Sequence, residues 1–386
     1  MKKNKKIVFV GMSGGVDSSV AAYLLKKQGY DVIGVFMRSY NLDGCFEIDA
    51  QDARRVAEHI GIPFYVWDFE EEYKKRVVDY MIDGYKSGIT PNPDIMCNKE
   101  IKFGLFFEKA IKTGADFVAT GHYVKIKSKV QKNKNGNNKK IYELFEANDK
   151  NKDQSYFLWT LGQKQLEKCL FPIGDYEKPT VREIARKANL PTAEKKDSQG
   201  ICFLGKISID DFLKKHIKEK KGLILSESGD VIGKHSGAIF YTIGQRHFGA
   251  DFKFMSNFSK DKTINSKNGK DVLIKDKTKR GRFYIAKKDI QKNTIVVVEG
   301  SDNPALYKNE IMISDVNFIS EINLSAPISV LARVRYRQPL SSAILSSAGN
   351  KIYSLAFEKP QKFISSGQSA VFYLKNGKMI GGGIII

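Results

Sequence analysis

The chain has 386 residues, 42% of them apolar and 28% charged, so it is long enough for two or three domains and too apolar for wholesale disorder. Its 64 Lys and Arg against 43 Asp and Glu leave a formal charge of +21, which suits a polyanionic partner: nucleic acid, an anionic membrane or a phosphorylated ligand. No apolar run approaches the roughly 18–20 residues of a membrane span, and the apolar stretch behind the basic N-terminus is too short for a signal-peptide core, so a cytoplasmic protein with no membrane partner is expected.

Residues 6–10 read as a buried strand and 18–28 as a helix, with Val20, Ala21, Leu24 and Leu25 on one face and Gly29 as its stop. Strands are expected at 31–36, 63–67 and 116–120, with helices at 50–60 and 101–112. Alternating strand and helix imply a parallel sheet with crossover helices. Residues 125–140, rich in Lys and Asn, read as the tip of an exposed hairpin or a loop. A helix is expected at 180–188, with Thr180 as N-cap and Glu183 as its capping-box partner. Residues 210–221 read as a short basic helix, and a second Lys/Asn-rich stretch covers about 251–280. Beyond it, alternating segments at 283–286, 294–298, 328–337, 352–357 and 370–374 suggest a small barrel or sandwich. The chain thus divides into an α/β domain, a small middle domain and a β-domain.

The strongest local signal is Gly11-Met-Ser-Gly-Gly-Val-Asp-Ser-Ser19, which follows the first strand and opens the first helix. Backbone N–H groups at such a turn, with the helix N-terminus, form an anion site. A Walker A loop would need a Lys near the helix start, and none stands there. Gly11 to Gly15 also fits the GxSxG nucleophile elbow, for which His122, His235 or His247 could serve as partner. A plain Gly/Ser turn is the third reading. The longer string Ser13-Gly-Gly-Val-Asp-Ser18 decides among them: it resembles the PP-loop, SGGxDS, of the ATP pyrophosphatase superfamily.

The four cysteines, Cys45, Cys97, Cys169 and Cys202, include no CxxC pair, so neither a disulfide framework nor a metal site is expected. Cys97 falls just before the helix expected at 101–112, where the dipole favours a thiolate, and Lys99 and Lys102 add positive potential. Cys202 follows Lys195, Lys196 and Gly200 in an electropositive loop. Cys45 and Cys169 read as small buried hydrophobes.

Together these strings resemble the tRNA-specific 2-thiouridylase family (MnmA/TrmU type), nearly end to end. Further matches are Asp52-Ala-Arg-Arg-Val-Ala57, Gly61-Ile-Pro-Phe-Tyr65, Ala119-Thr-Gly-His-Tyr123, Lys152-Asp-Gln-Ser-Tyr156, Tyr241-Thr-Ile-Gly-Gln-Arg-His247 and Arg333-Val-Arg-Tyr-Arg337. The two Lys/Asn-rich stretches depart from the pattern. The resemblance implies an α/β chain: an N-terminal parallel-sheet PP-loop domain (adenine nucleotide α-hydrolase-like) over 1–205, a small central tRNA-contacting domain over 206–302, and a C-terminal tRNA-binding β-barrel over 303–386.

It further implies ATP bound by Gly11, Met12, Ser13, Gly14, Gly15, Val16, Asp17, Ser18, Met37 and Gly121, with Mg²⁺ expected and Asp17 positioning the loop or the ion. ATP would adenylate the C2 oxygen of the wobble uridine. Cys202 would carry a persulfide loaded by a sulfur-relay protein, and its sulfur would displace that oxygen. Cys97 would be the second thiol and nucleophile, releasing sulfide or closing a Cys97–Cys202 disulfide. A metal or iron–sulfur site is the alternative for the cysteine pair, though no closely spaced cluster supports it. Asn92, Pro93 and Asp94 would contact the target base, and His122, Lys152, Asp153, Gln154, Arg335, Tyr336, Arg337 and Gln368 the tRNA. Asp94 or His122 would assist proton transfer. As a strand, 331–338 would set Arg333, Arg335 and Arg337 on one face, suited to phosphates or simply solvated.

Overall fold

The computed structural model describes residues 5–40, 42, 46–132, 137–197, 200, 203–205, 207–246, 253–254, 282–322 and 324–386. Strand β1 (Ile7–Gly11) is buried from Val8 onward, the mark of a strand covered by helices on both faces. It pairs in parallel with β2 (Asp31–Arg38), and β2 with β3 (Phe64–Asp68). On its other side β1 pairs with β4 (Phe117–Thr120). A hairpin of β5 (Val124–Lys132) and β6 (Asn138–Glu146) follows, and then β7 (Cys169–Leu170) pairs with β4. The five-stranded parallel sheet has the order β3-β2-β1-β4-β7. Chain direction across the sheet reverses between β1 and β4, so the carboxyl ends of those two strands flank a topological switch point, where ligands of such sheets bind.

Helix α1 (Val16–Lys27) links β1 to β2, and α2 (Phe46–Ile60) links β2 to β3, starting a turn earlier than its periodicity suggested. Helical runs over 70–86 and 93–112 lead to β4, each with a π-helical stretch, Lys74–Val78 and Cys97–Phe106. The second run begins at Pro93 rather than near 101. Asn92 caps it, its Oδ1 accepting from the N–H groups of Asp94 and Ile95 at 3.1 and 3.2 Å, and Pro93 sits where its missing N–H costs nothing. The later helix Lys178–Lys187 also begins before the expected Thr180. Its cap comes from far along the chain: Asp149 Oδ2 accepts from Lys178 N at 2.9 Å, so the Thr180–Glu183 box does not form.

The middle of the chain holds the helix Ile209–His216 and a sheet of β8 (Gly222–Leu225), β9 (Val231–His235), β10 (Lys253–Phe254), β11 (Phe283–Asp289) and β12 (Thr294–Glu299), in the order β10-β9-β8-β12-β11. The C-terminal strands are β13 (Tyr307–Phe318), β14 (Ile328–Arg333), β15 (Ser341–Gly349), β16 (Ile352–Lys362), β17 (Ser369–Tyr373) and β18 (Lys378–Ile385). They run β13-β16-β15-β14-β17-β18, and β13 pairs with β18 to close a six-stranded antiparallel barrel. The fold is therefore the expected one: an α/β N-terminal domain, a small central domain and a C-terminal β-barrel. Most of the Lys/Asn-rich 125–140 stretch is regular strand; its tip, 133–136, lies outside the described residues, as does nearly all of 251–280.

The barrel is bolted to the first domain. Strand β18 takes β6 as a further neighbour, pairing Lys378 with Phe145 and Met379 with Leu144. Trp159 Nε1 donates to Ser369 Oγ at 3.1 Å and Tyr156 OH to Ser369 O at 3.0 Å. One buried apolar cluster runs from Phe9 and Val35 through Phe103 and Trp159 to Ile224, Ile285 and Val371, so the three parts share a core. Among the described residues, no helix is long and apolar enough to cross a membrane.

Candidate active site

The loop after β1 is held in place from within. Ser13 N donates to Ser18 Oγ at 3.1 Å, the two hydroxyls of Ser13 and Ser18 lie 3.3 Å apart, and Ser18 and Ser19 hydroxyls donate to Gly15 O at 3.1 and 2.8 Å. Gly14 adopts φ +75°, and a Cβ there would sit 2.3 Å from Asp49 O. Only glycine meets both demands. Gly15 is the N-cap of α1 and offers no side chain, so the first-turn N–H groups face the switch point for an external acceptor. Met12 and Val16 are buried and support the loop through packing, while Met37 lies against Gly11. Gly121, after β4, approaches so closely that a Cβ would be 2.6 Å from Ser18 N. All ten expected nucleotide residues therefore gather at one end of β1, β2 and β4.

Among the described residues, the nucleophile-elbow reading finds no partner. Ser13 Oγ faces Ser18, His122 Nδ1 is 2.7 Å from Thr120 Oγ1, and His235 Nδ1 accepts from Gly237 N in the middle domain. His247 lies outside the described residues.

Asp17 is anchored by groups that sequence reading missed. Lys178 Nζ lies 2.8 Å from both its carboxylate oxygens, and Tyr123 OH donates to Oδ1 at 2.7 Å. Burial first, and then the Asp17 charge, raise the Tyr123 pKa far above the ordinary phenol value, so it remains a donor. Lys178 also reaches Asp197 at 2.8 Å, and Asp197 takes Lys152 at 2.6 Å and Arg182 at 2.9 Å. Burial works to raise the Asp197 pKa, but the hydrogen bonds from Lys152 and Lys178 outweigh it and hold the carboxyl at about 2. Tyr123 stood inside a motif string and Asp197 five residues before Cys202; for Lys178, no local signal connects it to a loop 161 residues earlier. Lys195, expected to add charge near Cys202, is paired with Asp49 at 2.6 Å and Asp52 at 2.7 Å.

Cys97 sits one turn inside the helical run that begins at Pro93, not ahead of it, so the helix dipole acts on it less than expected. It is 8% exposed and belongs to the shared apolar cluster rather than to a polar loop. Its π-helical segment is a rare geometry, common near functional sites. That helix brings three expected residues together: Lys102 bears electrostatically on both Asp94 and His122. Burial raises the Asp94 pKa despite Lys102, whereas burial and then Lys102 push His122 well below the imidazole range. Phe103 packs 5.8 Å from the His122 ring. Cys169 is a buried hydrophobe as expected, its thiol pKa raised by burial. Cys45 and Cys202 lie outside the described residues, and among those described no group of His, Cys, Asp and Glu could hold a metal ion.

Of the remaining expected residues, Asp153, Tyr336 and Gln368 lie where the first domain meets the barrel. Gln154 is bonded to the Tyr123 backbone, its Oε1 accepting at 3.0 Å. Asp153 is 2% exposed and accepts from Ala147 N at 3.0 Å and Ser155 Oγ at 2.8 Å. Gln368 Nε2 donates to Thr90 O at 2.8 Å, beside Asn92 and Pro93. The three arginines do not share a strand face. Strand β14 ends at Arg333, and a turn with Arg337 at φ +63° breaks the alternation. Arg333 is buried on Glu146 and 3.5 Å from Asp153. Arg335 donates to Ile243 O at 2.7 Å, while its buried Nε finds no partner among the described residues. Tyr336 packs 4.4 Å from the Phe157 ring, and only Arg337 is exposed, stacked 5.3 Å over Tyr336.

Comparison with known proteins accords with this geometry. Residues 6–206 match the family described as a tRNA methyl transferase HUP domain, 210–256 a tRNA methyl transferase PRC-barrel domain, and 308–385 an aminomethyltransferase beta-barrel domain. The chain is 41% identical to the tRNA-specific 2-thiouridylase MnmA of Flavobacterium johnsoniae, over 98% of this chain and 100% of that one. It is 42% identical to the protein of the same name from Karelsulcia muelleri, over the whole of both. The match to that of Alkaliphilus oremlandii is 42%, over 96% and 94%. The chain belongs to the tRNA-specific 2-thiouridylase family.

Proposed function

We propose that this member of the family is an ATP-dependent tRNA-uridine 2-sulfurtransferase, acting on the wobble uridine of the anticodon. One observation carries the reading: the uncapped start of α1, with the Ser13–Ser18 loop, opens at the switch point onto which the Cys97 helix and the end of β4 also converge. A phosphate cradle and a thiol-bearing helix are thereby set against the same strand ends. The domains are read as 1–205, 206–302 and 303–386.

The loop N–H groups and the Ser13 and Ser18 hydroxyls fit the phosphates of ATP. Mg²⁺ would supply neutralising charge for the leaving pyrophosphate. Asp17, engaged by Lys178 and Tyr123, fits the role of loop anchor. The target uridine leaves its stack, with Asn92, Pro93 and Asp94 at its edge. Its C2 oxygen attacks the α-phosphorus and pyrophosphate departs. The terminal persulfide sulfur on Cys202 then attacks C2, the C2–O bond breaks and AMP leaves. Cys97 thiolate attacks the Cys202 sulfur and frees the transferred atom, leaving a Cys97–Cys202 disulfide for an external thiol to reduce. A sulfur-relay protein reloads Cys202. Asp94, held toward its protonated form by burial, suits proton donation; His122, held neutral, suits hydrogen bonding to the RNA. Lys152, Gln154, Arg335, Tyr336, Arg337 and Gln368 line the seam along which the anticodon arm would lie, and Asp153 supports it from beneath.

The test is a single-turnover reaction of the chain with ATP, a sulfur source and unmodified tRNA bearing a wobble uridine. Pyrophosphate release and the digested nucleosides are followed together. The expected product is 2-thiouridine, lost in both Cys97→Ala and Cys202→Ala while pyrophosphate release persists. Full sulfur incorporation by either variant would overturn the role given to that thiol. Pyrophosphate release followed by displacement of AMP by an amine, with both cysteines dispensable, would instead make the chain an amidating ligase of the same fold.

A further inference from the structure

The β5–β6 hairpin carries a charge pattern that the site does not use. Its ladder runs without a bulge from Val124 opposite Glu146 to Lys132 opposite Asn138. The foot is packed, with Val124 and Leu144 fully buried and β6 held by β18. Beyond the foot, Ser128–Lys132 and Asn138–Lys140 are exposed on both faces, with Val130 at 67%. A two-stranded ribbon of this kind buries too little to be explained by packing alone.

Directly opposed residues of an antiparallel pair share a face. The register therefore puts Lys125, Lys127, Lys129 and Lys139 on one face with Glu143. Lys378 of β18 joins them, 2.5 Å from Glu143, which also takes Lys129 at 2.8 Å. Five ammonium groups thus face one carboxylate. Lys127, directly opposite Glu143, lies 5.0 Å over the Phe145 ring. Lys132 and Lys140 add charge on the opposite face.

The ribbon also springs from the proposed RNA-contacting residues. His122 lies just before Val124, and Gln154 ties the segment after Glu146 back to Tyr123. At about 3.4 Å per residue, the eight steps of β5 carry the ribbon about 27 Å beyond Val124, with Lys125, Lys127 and Lys129 along the way. A target base at the site places its flanking phosphates within that span.

We propose that the lysine face of the β5–β6 ribbon is an arm that contacts RNA phosphates of the tRNA outside the target base. The inference rests on the reading of the site as tRNA-modifying and extends it to the body of the substrate. Such contacts are sequence-independent and act through counter-ion release, so salt dependence is their signature.

The experiment measures binding of labelled full-length tRNA to the full chain, over a series of salt concentrations. Wild type is compared with a Lys127→Gln, Lys129→Gln, Lys139→Gln variant whose thermal unfolding is checked to match. The slope of log Kd against log salt is expected to fall by about 2, roughly 0.7–0.9 for each phosphate that the variant no longer neutralises, and affinity at low salt to weaken about tenfold or more. Arg at the same three positions should restore both. Wild-type binding with an unchanged slope in the Gln variant overturns the arm and leaves the site reading intact. Retained tRNA binding with lost binding to phosphatidylserine vesicles overturns it in favour of a membrane surface. Failure of wild type to bind tRNA at all sinks the site reading, and the arm with it.

Discussion

The ammonium of Lys178 lies 2.8 Å from each carboxylate oxygen of Asp17, across 161 residues of sequence. This pair ties the phosphate loop to the helix Lys178–Lys187 and, through Asp197, to the segment that leads toward Cys202.

Replacing Lys178 by Met should therefore do two things. The Asp17 carboxylate, about a third exposed, loses its partner, at a cost of roughly 2 kcal/mol in unfolding free energy once solvent screening is allowed for. The loop loses its anchor, and pyrophosphate release should fall at least about a hundredfold while tRNA affinity changes little. Release at the wild-type rate would show that the pair is only structural.

His122 gives the pH dependence a sign. Burial, then Lys102, depresses its folded pKa well below the ordinary value near 6.5, so the unfolded chain takes up the proton first as pH falls. Its contribution to stability is complete above about pH 6.5 and is lost progressively below it. The imidazole resonances of His122 should show no titration between about pH 6 and 8, and His122→Asn should flatten the stability loss on the acid side. A midpoint near neutrality would overturn the neutral role assigned to this residue.

Arg333 and Arg337 should separate cleanly. Arg333→Ala takes the cation from buried Asp153 and leaves Glu146 only the exposed Lys150, and should destabilise the chain by about 3–5 kcal/mol. Arg337→Ala should leave stability within about 0.5 kcal/mol and weaken tRNA binding instead. Denaturant unfolding and a binding titration on the two variants check both halves.

Gly14→Ala forces an L side chain into the left-handed region, at about 1–2 kcal/mol, and drives its Cβ against Asp49 O. The loop must shift to relieve that contact. ATP affinity, read by equilibrium dialysis, is expected to drop at least about tenfold, with only a modest change in melting temperature. Gly15, at φ −92°, should tolerate Ala better.

The phosphate loop was legible because its requirements are local. A strand of apolar residues, a glycine turn and a helix start lie within twenty residues, and each has a short-range signature. The parallel sheet was legible for the same reason, since β1 and β2 are largely apolar runs joined by a single helix. Local signals were also misread. Asn92-Pro93 is a cap and first turn, and recognising it would have placed Cys97 inside the helix. The helix at Lys178 could not be read so, because its cap is the side chain of Asp149.

By itself the sequence determined the element types, the glycine-dependent loop and the family, all of which follow from residues adjacent in the chain or spaced by a helix or strand period. Only the tertiary structure decided which charges meet. It gave Asp17 to Lys178, paired Lys195 with Asp49 and Asp52, and sent Arg333, Arg335 and Arg337 to three different surroundings. The physical reason is range: backbone preference and apolar periodicity are set within a few residues. An ion pair is set by where folding brings two side chains together, and neither side chain carries a mark of its partner.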